Sequence, residues 1–256
     1  MAPTYCGIDG VVRKLKEWPV GINGVVHQQK EVWAGVDGVK KRIFSTGIPI
    51  GTLPVGTEVN VLESGSPVPY VIVHQGNPDT SKYDDSCTGT WLLEKNIKDV
   101  GQWRAYDQTP TSFRRCTIRT FMNGQKLGRF SASLQSAIKT ANIPCKDSQG
   151  EFVQPCKVFP PDIKELGFYG GGGCADNGSV LNYFSGGSNT QKVIKTKDGV
   201  PYDWYSRTPW QYTNPWNSVR ITNNGFTSEN KGTFSFGYAA MFILPQTFLI
   251  GENLVM

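Results

Sequence analysis

The sequence predicts an α+β, β-rich fold, and three observations carry that prediction. Of 256 residues, 12% are aromatic, beside 29 glycines and 16 prolines. Gly and Pro are poor in helix interiors while aromatics favour pleated surfaces, so this composition suits a loop-rich β protein. The C-terminal run 204–245 reads as strands. Trp204 and Tyr205 open it, Val219 and Ile221 alternate with polar neighbours, and residues 239–244 form a continuous apolar stretch. Only two segments show the three-four spacing of short helices. A chain of this length buries roughly 70–75% of its unfolded surface, enough for one large domain, or one with an appendage, without staples.

Taken in order, the chain opens with an internal repeat. Gly7-Ile8-Asp9-Gly10-Val11, Gly21-Ile22-Asn23-Gly24-Val25 and Gly35-Val36-Asp37-Gly38-Val39 recur every 14 residues. Asp-Gly and Asn-Gly suit the positive φ angles of a type I′ hairpin turn, so each copy predicts a small pair of β segments whose contact residues are Ile8, Val11, Ile22, Val25, Val36 and Val39. One such unit buries too little to stand alone. Residues 1–45 are read as an attachment arm for another chain, with an edge meander of the main domain as the other reading. Gly47, Pro49, Gly51, Pro54 and Gly56 predict a linker over 46–62, leaving 63–256 as the globular domain.

Within that domain, residues 69–74 predict a core strand leading into the turn Gly76-Asn77-Pro78, and Trp91 lies on a second. Asp84 and Asp85 read as turn residues rather than calcium ligands. Ser112 is placed to cap a helix reaching about Met122 and stopped by Asn123-Gly124. Ser131 or Ser133 caps another, with Leu134, Ala137, Ile138 and Ala141 on one stripe and Pro144 as its end. Val158-Phe159 predicts a short strand and residues 161–166 one helical turn. The glycine run 170–173 lacks the Lys-Ser or Lys-Thr of a phosphate loop.

The net charge is +5, but residues 1–45 hold seven of the basic residues against four acids and the remainder is nearly balanced. Lysines at alternating positions fit a solvated strand face, and a nucleic-acid contact is the weaker reading. No apolar stretch is long enough to span a membrane, and the N-terminus lacks an export pattern, which leads us to expect a chain made in a cytosol. The six cysteines have no zinc-knuckle spacing and are expected as free thiols, with Cys145 and Cys156 the one pair to test for a disulfide. His27 and His74, the only histidines, lie in different predicted domains, which removes the raw material for a histidine-based triad or metal site. We expect no cofactor and no metal.

Between the apolar anchors of the C-terminal run, Trp210, Tyr212, Asn214, Trp216, Asn217, Asn223, Asn224, Phe226 and Asn230 mix rigid rings with short hydrogen-bonding side chains. Binding loops use this mixture, since a ring gives large contact area for two lost torsions while Asn adapts its hydrogen bonds. These nine are the candidate ligand-binding residues.

The stretch Trp204-Tyr205-Ser206-Arg207-Thr208-Pro209 resembles the Trp-aromatic-x-Arg-Ser-Pro motif of a domain family of bacteria and their phages. The Trp91 passage, Ile118 to Asn123, Ile143-Pro144 and Lys157-Val158-Phe159 are similar to that family in the same order, so the resemblance covers roughly residues 60–245. Gly237-Tyr238-Ala239-Ala240 stands where the family has Gly-Val-Arg-Pro, which removes a buried hydrogen-bonding anchor. The resemblance implies a C-type-lectin-like domain with two short helices and a displayed loop surface, related in form to phage receptor-binding proteins and formylglycine-generating-type domains. The N-terminal repeat is similar to Gly-Val-x-Gly-Val-Ala-Arg-Lys repeats opening virion and tail-associated proteins of phages that infect gut Firmicutes.

Together these imply a non-enzymatic virion protein: a tail-fibre or receptor-binding adhesin. It would be held to other virion proteins by residues 1–45 and bind a host-surface glycan or protein through residues 203–235, as a homo-oligomer without membrane insertion. A purely architectural capsid decoration, collar or baseplate component is the alternative. An enzyme would need two reactive cysteines or a carboxylate pair in a cleft, and Glu229 is the one acid inside the suspected binding stretch.

Overall fold

Each tandem Gly-x-Asx-Gly-Val segment closes into an antiparallel hairpin in the computed structural model. β1 (Tyr5–Ile8) pairs with β2 (Val11–Lys14), β3 (Val20–Ile22) with β4 (Val25–His27), and β5 (Glu31–Val36) with β6 (Val39–Ser45). Ile8 faces Val11, Ile22 faces Val25 and Val36 faces Val39, so two residues separate each pair, the loop length Asp-Gly and Asn-Gly favour. The structure describes the backbone of these six strands and residues 47–104, 112–168, 177–186, 190–210, 217–251 and 254–255.

The chain divides into two units, Met1–Ile48 and Pro49–Met256. The passage 46–62 is therefore not a linker. From Pro49 onward it belongs to the second unit, where its Gly and Pro residues shape a tight turn rather than a spacer. Ile50 is fully buried, its N–H donates to the Phe248 carbonyl at 2.8 Å, and Gly51 donates to Gln246 at 2.9 Å. Val59 and Val61 point into the core from β7 (Glu58–Glu63).

The second unit continues with β8 (Ser66–Gly76), β9 (Gly89–Glu94), β10 (Asp99–Gln102), α1 (Thr117–Phe121), α2 (Ala132–Ala137), β11 (Ala141–Asp147), β12 (Gly150–Cys156), β13 (Val158–Phe159) and α3 (Thr190–Val193). It closes with β14 (Lys195–Lys197), β15 (Val200–Tyr202), β16 (Trp204–Pro209), β17 (Asn217–Ile221), β18 (Thr227–Lys231), β19 (Ser235–Tyr238), β20 (Met241–Leu244) and β21 (Leu254–Val255). A six-stranded sheet runs β13-β20-β9-β8-β7-β21 and a five-stranded sheet β10-β19-β16-β17-β18, with β11-β12 and β14-β15 as separate hairpins. The architecture is thus β-rich α+β. Runs without polar alternation must be covered on both faces, and β9 and β20, adjacent in the first sheet, are buried at every residue. Trp91 anchors this core, edge-on to Tyr83 and Phe159 at 5.7 and 5.9 Å, its indole N–H on the Cys87 carbonyl at 3.0 Å.

The helical segments end elsewhere than their sequence pattern predicts, the first later and the second earlier. Ser112 caps a 3-10 turn and Cys116 caps α1, which widens into a π turn over Met122–Lys126 instead of stopping at Asn123. The Asn123 amide is used elsewhere. It donates to the Val158 carbonyl at 2.8 Å and accepts the Lys157 N–H at 2.9 Å, tying the helix to β13. Ser131 caps α2, whose end is set by Ile138 turning extended, not by Pro144. Ala141 and Pro144 lie in β11, opposite Cys156 and Val153. Cys145 faces Phe152 in the same hairpin, so Cys145 and Cys156 are not cross-strand partners, and both are free thiols. Asp198-Gly199 makes a two-residue turn between β14 and β15 with positive φ at both positions, 52° and 82°, the conformation Asp-Gly favours.

Candidate functional site

Strand β16 is where the chemistry of residues 204–236 is decided, because all six of its residues are buried. The Trp204 indole donates to the Val193 carbonyl at 3.0 Å. Tyr205 donates its phenol to the Phe234 carbonyl at 2.8 Å. Ser206 donates to Val219 at 2.9 Å, and Thr208 to the Asp162 carboxylate at 2.8 Å. Arg207 forms a fork on Glu165, with both N···O distances 2.6 Å, and reaches the Pro160 carbonyl at 3.2 Å. Arg207 and Glu165 are at most 1% exposed. Burial alone would lower the Arg207 pKa, but the Glu165 carboxylate raises it well above its ordinary value. Burial pushes Asp162 up to about 6 against the pull of Arg207. The Trp-Tyr-Ser-Arg-Thr-Pro stretch is therefore an internal girder: each of its polar side chains is bonded to the protein's own backbone or carboxylates.

What the girder holds out is a surface on the five-stranded sheet. A depression of about 290 Å³ is lined by Pro201, Tyr202, Asp203, Asn223, Ser235 and Phe236. Asp203 is fixed by the Arg220 guanidinium and by the Asn223 N–H at 2.6 Å. Arg220 stacks over Phe236, 4.6 Å from its centroid, and Phe236 meets Tyr205 edge-on at 5.2 Å. The floor is thus an ordered stack from Asp203 through Arg220 and Phe236 to the buried Tyr205.

Two turns at the ends of β18 carry the exposed residues. In the first, Thr222 donates its N–H to Phe226 at 2.8 Å and accepts from Gly225 at 2.9 Å. Gly225 has φ +82°, and a Cβ there would overlap the Thr190 carbonyl, so only glycine fits. Phe226 is 58% exposed on this turn, beside exposed Asn223 and Asn224, while Phe234 on the second turn is 53% exposed. Asn224 accepts the Thr222 hydroxyl and so helps to hold its own turn.

The remaining sequence candidates fall in three groups. Asn217 does not face solvent. It is 7% exposed, its amide donates to Glu229 at 3.0 Å, and its buried Oδ1 has no partner among the described residues, so it braces β18 rather than reading a ligand. Asn230 is half-buried on β18 opposite Ser218, and Trp210 is half-buried, its N–H on the Asn217 carbonyl at 2.9 Å. Tyr212, Asn214, Trp216, the glycine run 170–173 and the side chains of Ile8, Val11, Ile22, Val25, Val36 and Val39 lie outside the described residues. Sequence reasoning missed Asp203, Arg220 and Phe236. Their signal was the alternation of strands β17 and β19, which places Arg220 and Phe236 on the same face as Tyr205.

Among the described residues, the buried reactive groups elsewhere are tied up. Lys126, fully buried, contacts Glu63 at 2.8 Å, Glu94 at 2.9 Å and Asp99 at 3.4 Å, and Arg129 pairs with Asp99 at 2.8 Å. Burial raises Glu94 to about 7 even though Lys126 opposes the shift. A smaller depression of about 130 Å³ includes Lys95, Tyr183, Lys192 and Lys195, but the Lys195 amine is engaged by the Glu94 carbonyl. Burial pushes the Cys87 and Cys156 thiols up to about 11 and Cys145 to about 12, and raises Cys116 further. His74 takes the Asn182 N–H on Nδ1 at 3.2 Å, and burial lowers its pKa.

A protein-family model described as "Domain of unknown function (DUF6273)" matches residues 88–246. That span holds the girder, the surface and β9 to β20, but not β7 and β8, which complete the same six-stranded sheet. No curated protein and no solved structure matches the chain.

Proposed function

The chain belongs to the DUF6273 family, whose description names no activity, and from the resemblances of its sequence, with the exposed turns of the five-stranded sheet as support, we propose that it is a non-enzymatic virion protein of a bacteriophage. In this reading a C-type-lectin-like domain displays a ligand-binding surface, and the N-terminal hairpins dock on other virion proteins. It is made in the bacterial host cytoplasm and works on the particle.

The observation that carries the reading is the contrast between β16 and the turns beside β18. Each polar side chain of the girder is bonded internally, whereas Phe226, Phe234, Asn223 and Asn224 stand exposed on turns fixed by their own hydrogen bonds. Rigid aromatic anchors lose little entropy on binding, and the Tyr202–Phe236 depression offers ring faces beside the Asp203 and Arg220 charges, a pairing suited to sugar hydroxyls over a hydrophobic ring face. The buried thiols, held protonated, favour binding over sulfur chemistry. Support for the arm is its three hairpins, each with too few residues to bury a face alone.

The test is adsorption of the full-length protein to host cells and to a glycan array. Phe226→Ala with Phe234→Ala, whose rings are exposed, should abolish adsorption without lowering the melting temperature, and separately Trp210→Ala with Trp216→Ala should abolish adsorption. If both pairs adsorb as the parent does while particles assemble, the architectural role of a capsid decoration, collar or baseplate component replaces the receptor reading. Release of product from host wall material would overturn both.

A further inference from the structure

The smaller depression stands on the six-stranded sheet, and strand register builds its floor. Glu58 on β7 lies opposite Val71 on β8, and Val71 opposite Leu93 on β9, so the three share one face of that sheet. Tyr183 and Phe184, from the 3-10 turn Asn182–Phe184, and Ile194, which follows α3, complete a depression of about 130 Å³. A cavity of about 150 Å³ takes one benzene ring. There is thus room for a single ring over Val71 and Leu93, which are 8% and 3% exposed. The wall is held in place. Tyr183 meets Phe184 edge-on at 5.0 Å, and Lys192 on α3 donates to the Tyr183 carbonyl at 2.6 Å, its amine 5.0 Å from the centroid of the Tyr183 ring.

The charges around this floor do not cancel. Lys95, Lys192 and Lys195 line the depression with one carboxylate, Glu58, and Glu58 is paired with Lys95. Neither Lys192 nor Lys195 has a carboxylate partner among the described residues. The Lys195 amine rests on the Glu94 carbonyl and, at 3.4 Å, on that of Lys95, 5.1 Å from the centroid of the Trp204 ring. Carbonyl dipoles hold an ammonium group without neutralising it. Burial lowers the Lys195 pKa to about 7, and the Glu94 charge only partly opposes the shift, as for an amine whose counter-charge is missing.

We propose that this depression binds a small organic anion: one apolar ring carrying a carboxylate or phosphate group. The ring lies over Val71 and Leu93 beside Phe184, and the anionic group accepts from Lys192, whose ammonium has three N–H donors and spends one on Tyr183. Lys195 adds a second positive charge to the same site. A neutral ring leaves both charges unmatched, and an anion without a ring leaves the apolar floor wet, so the two halves of the ligand answer the two halves of the site. The inference does not depend on what the turns beside β18 bind.

Titration of the isotope-labelled full chain with benzoate and with phenyl phosphate, followed by amide NMR shifts, tests it. Both should shift the signals of Tyr183, Gln191 and Ile194 saturably, with a Kd of about 1 mM or below for ligands of this size. Benzyl alcohol lacks the charge and acetate lacks the ring, and each should bind at least about tenfold more weakly than benzoate. Lys192→Met and Gln191→Glu, both at exposed positions, should each weaken benzoate by about tenfold. Unchanged melting shows that each variant is folded, and Gln191→Glu removes no hydrogen bond among the described residues. Shifts that fail to saturate by about 10 mM with either anion overturn the proposal. So does benzyl alcohol binding as tightly as benzoate, which would make the site merely apolar, or acetate doing so, which would make it merely a cationic surface. Benzoate binding indifferent to both variants would place the anion elsewhere and overturn it as well.

Discussion

Removing Arg207 is the sharpest test of the idea that the Trp-Tyr-Ser-Arg-Thr-Pro stretch is a girder. Arg207→Ala deletes a two-bond fork on Glu165 and leaves that carboxylate 0% exposed beside Asp162, with one remaining phenol donor from Tyr83 at 2.8 Å and the Asp162 N–H at 2.9 Å. An uncompensated buried charge costs about 3–5 kcal/mol. For a domain of this size, that predicts a melting temperature lower by roughly 6–20 °C, at about 2–4 °C per kcal/mol. The assay is urea and thermal unfolding followed by circular dichroism at pH 7. Arg207→Met with Glu165→Met removes both charges and should cost less than the sum of the single substitutions by about 1–3 kcal/mol, the size expected for contacting groups. A single Arg207→Ala variant within about 1 kcal/mol of the parent would show that water reaches the Glu165 carboxylate, and the girder argument would fail.

Glu94 gives a pH prediction. Its folded pKa of about 7 lies above the ordinary 4.5, so the folded state binds the extra proton, and this group's contribution to stability declines as pH rises from about 4.5 to 7. Glu94→Gln should flatten that part of the unfolding free energy against pH, and parallel profiles for the two proteins would refute the assignment. Gly225→Ala should destabilise by about 1–3 kcal/mol, through positive φ and overlap with Thr190, whereas Gly128→Ala, with open space around it, should not; equal melting of the two would contradict the turn geometry. Iodoacetamide mapped by mass spectrometry should leave Cys87, Cys116, Cys145 and Cys156 unmodified in the native protein and label all four in denaturant. Native labelling at any of them would show its thiol to be more accessible than the structure has it.

Much of the fold follows from local pattern. The repeat at 14-residue spacing predicts three hairpins joined by two-residue turns, and the strands around Val71, Trp91, Trp204, Val219 and Phe242 follow from apolar runs and alternation. Caps at Ser112 and Ser131 are readable too, because a cap is a contact between near neighbours. Helix lengths are not. Asn123 looks like a stop until β13 offers its backbone, and Ile138 leaves α2 because Lys139 pairs with Ile243. The boundary at residue 48 was hidden for the same reason: Gly and Pro signal a turn, and only Phe248 and Gln246 decide that this turn belongs to the core.

The candidate site divides along that line. Sequence alone determined that residues 203–235 mix rings and amides on a β framework, since composition and alternation are properties of neighbours along the chain. Tertiary structure alone decided which of them face water. Arg207 goes inward because Glu165, 42 positions earlier, is there to receive it, and Asn217 because Glu229 stands across the ladder. Phe226 and Phe234 stay outside because they stand on the turns before and after β18 rather than within a strand. Burial depends on partners distant in sequence, and no local pattern contains them.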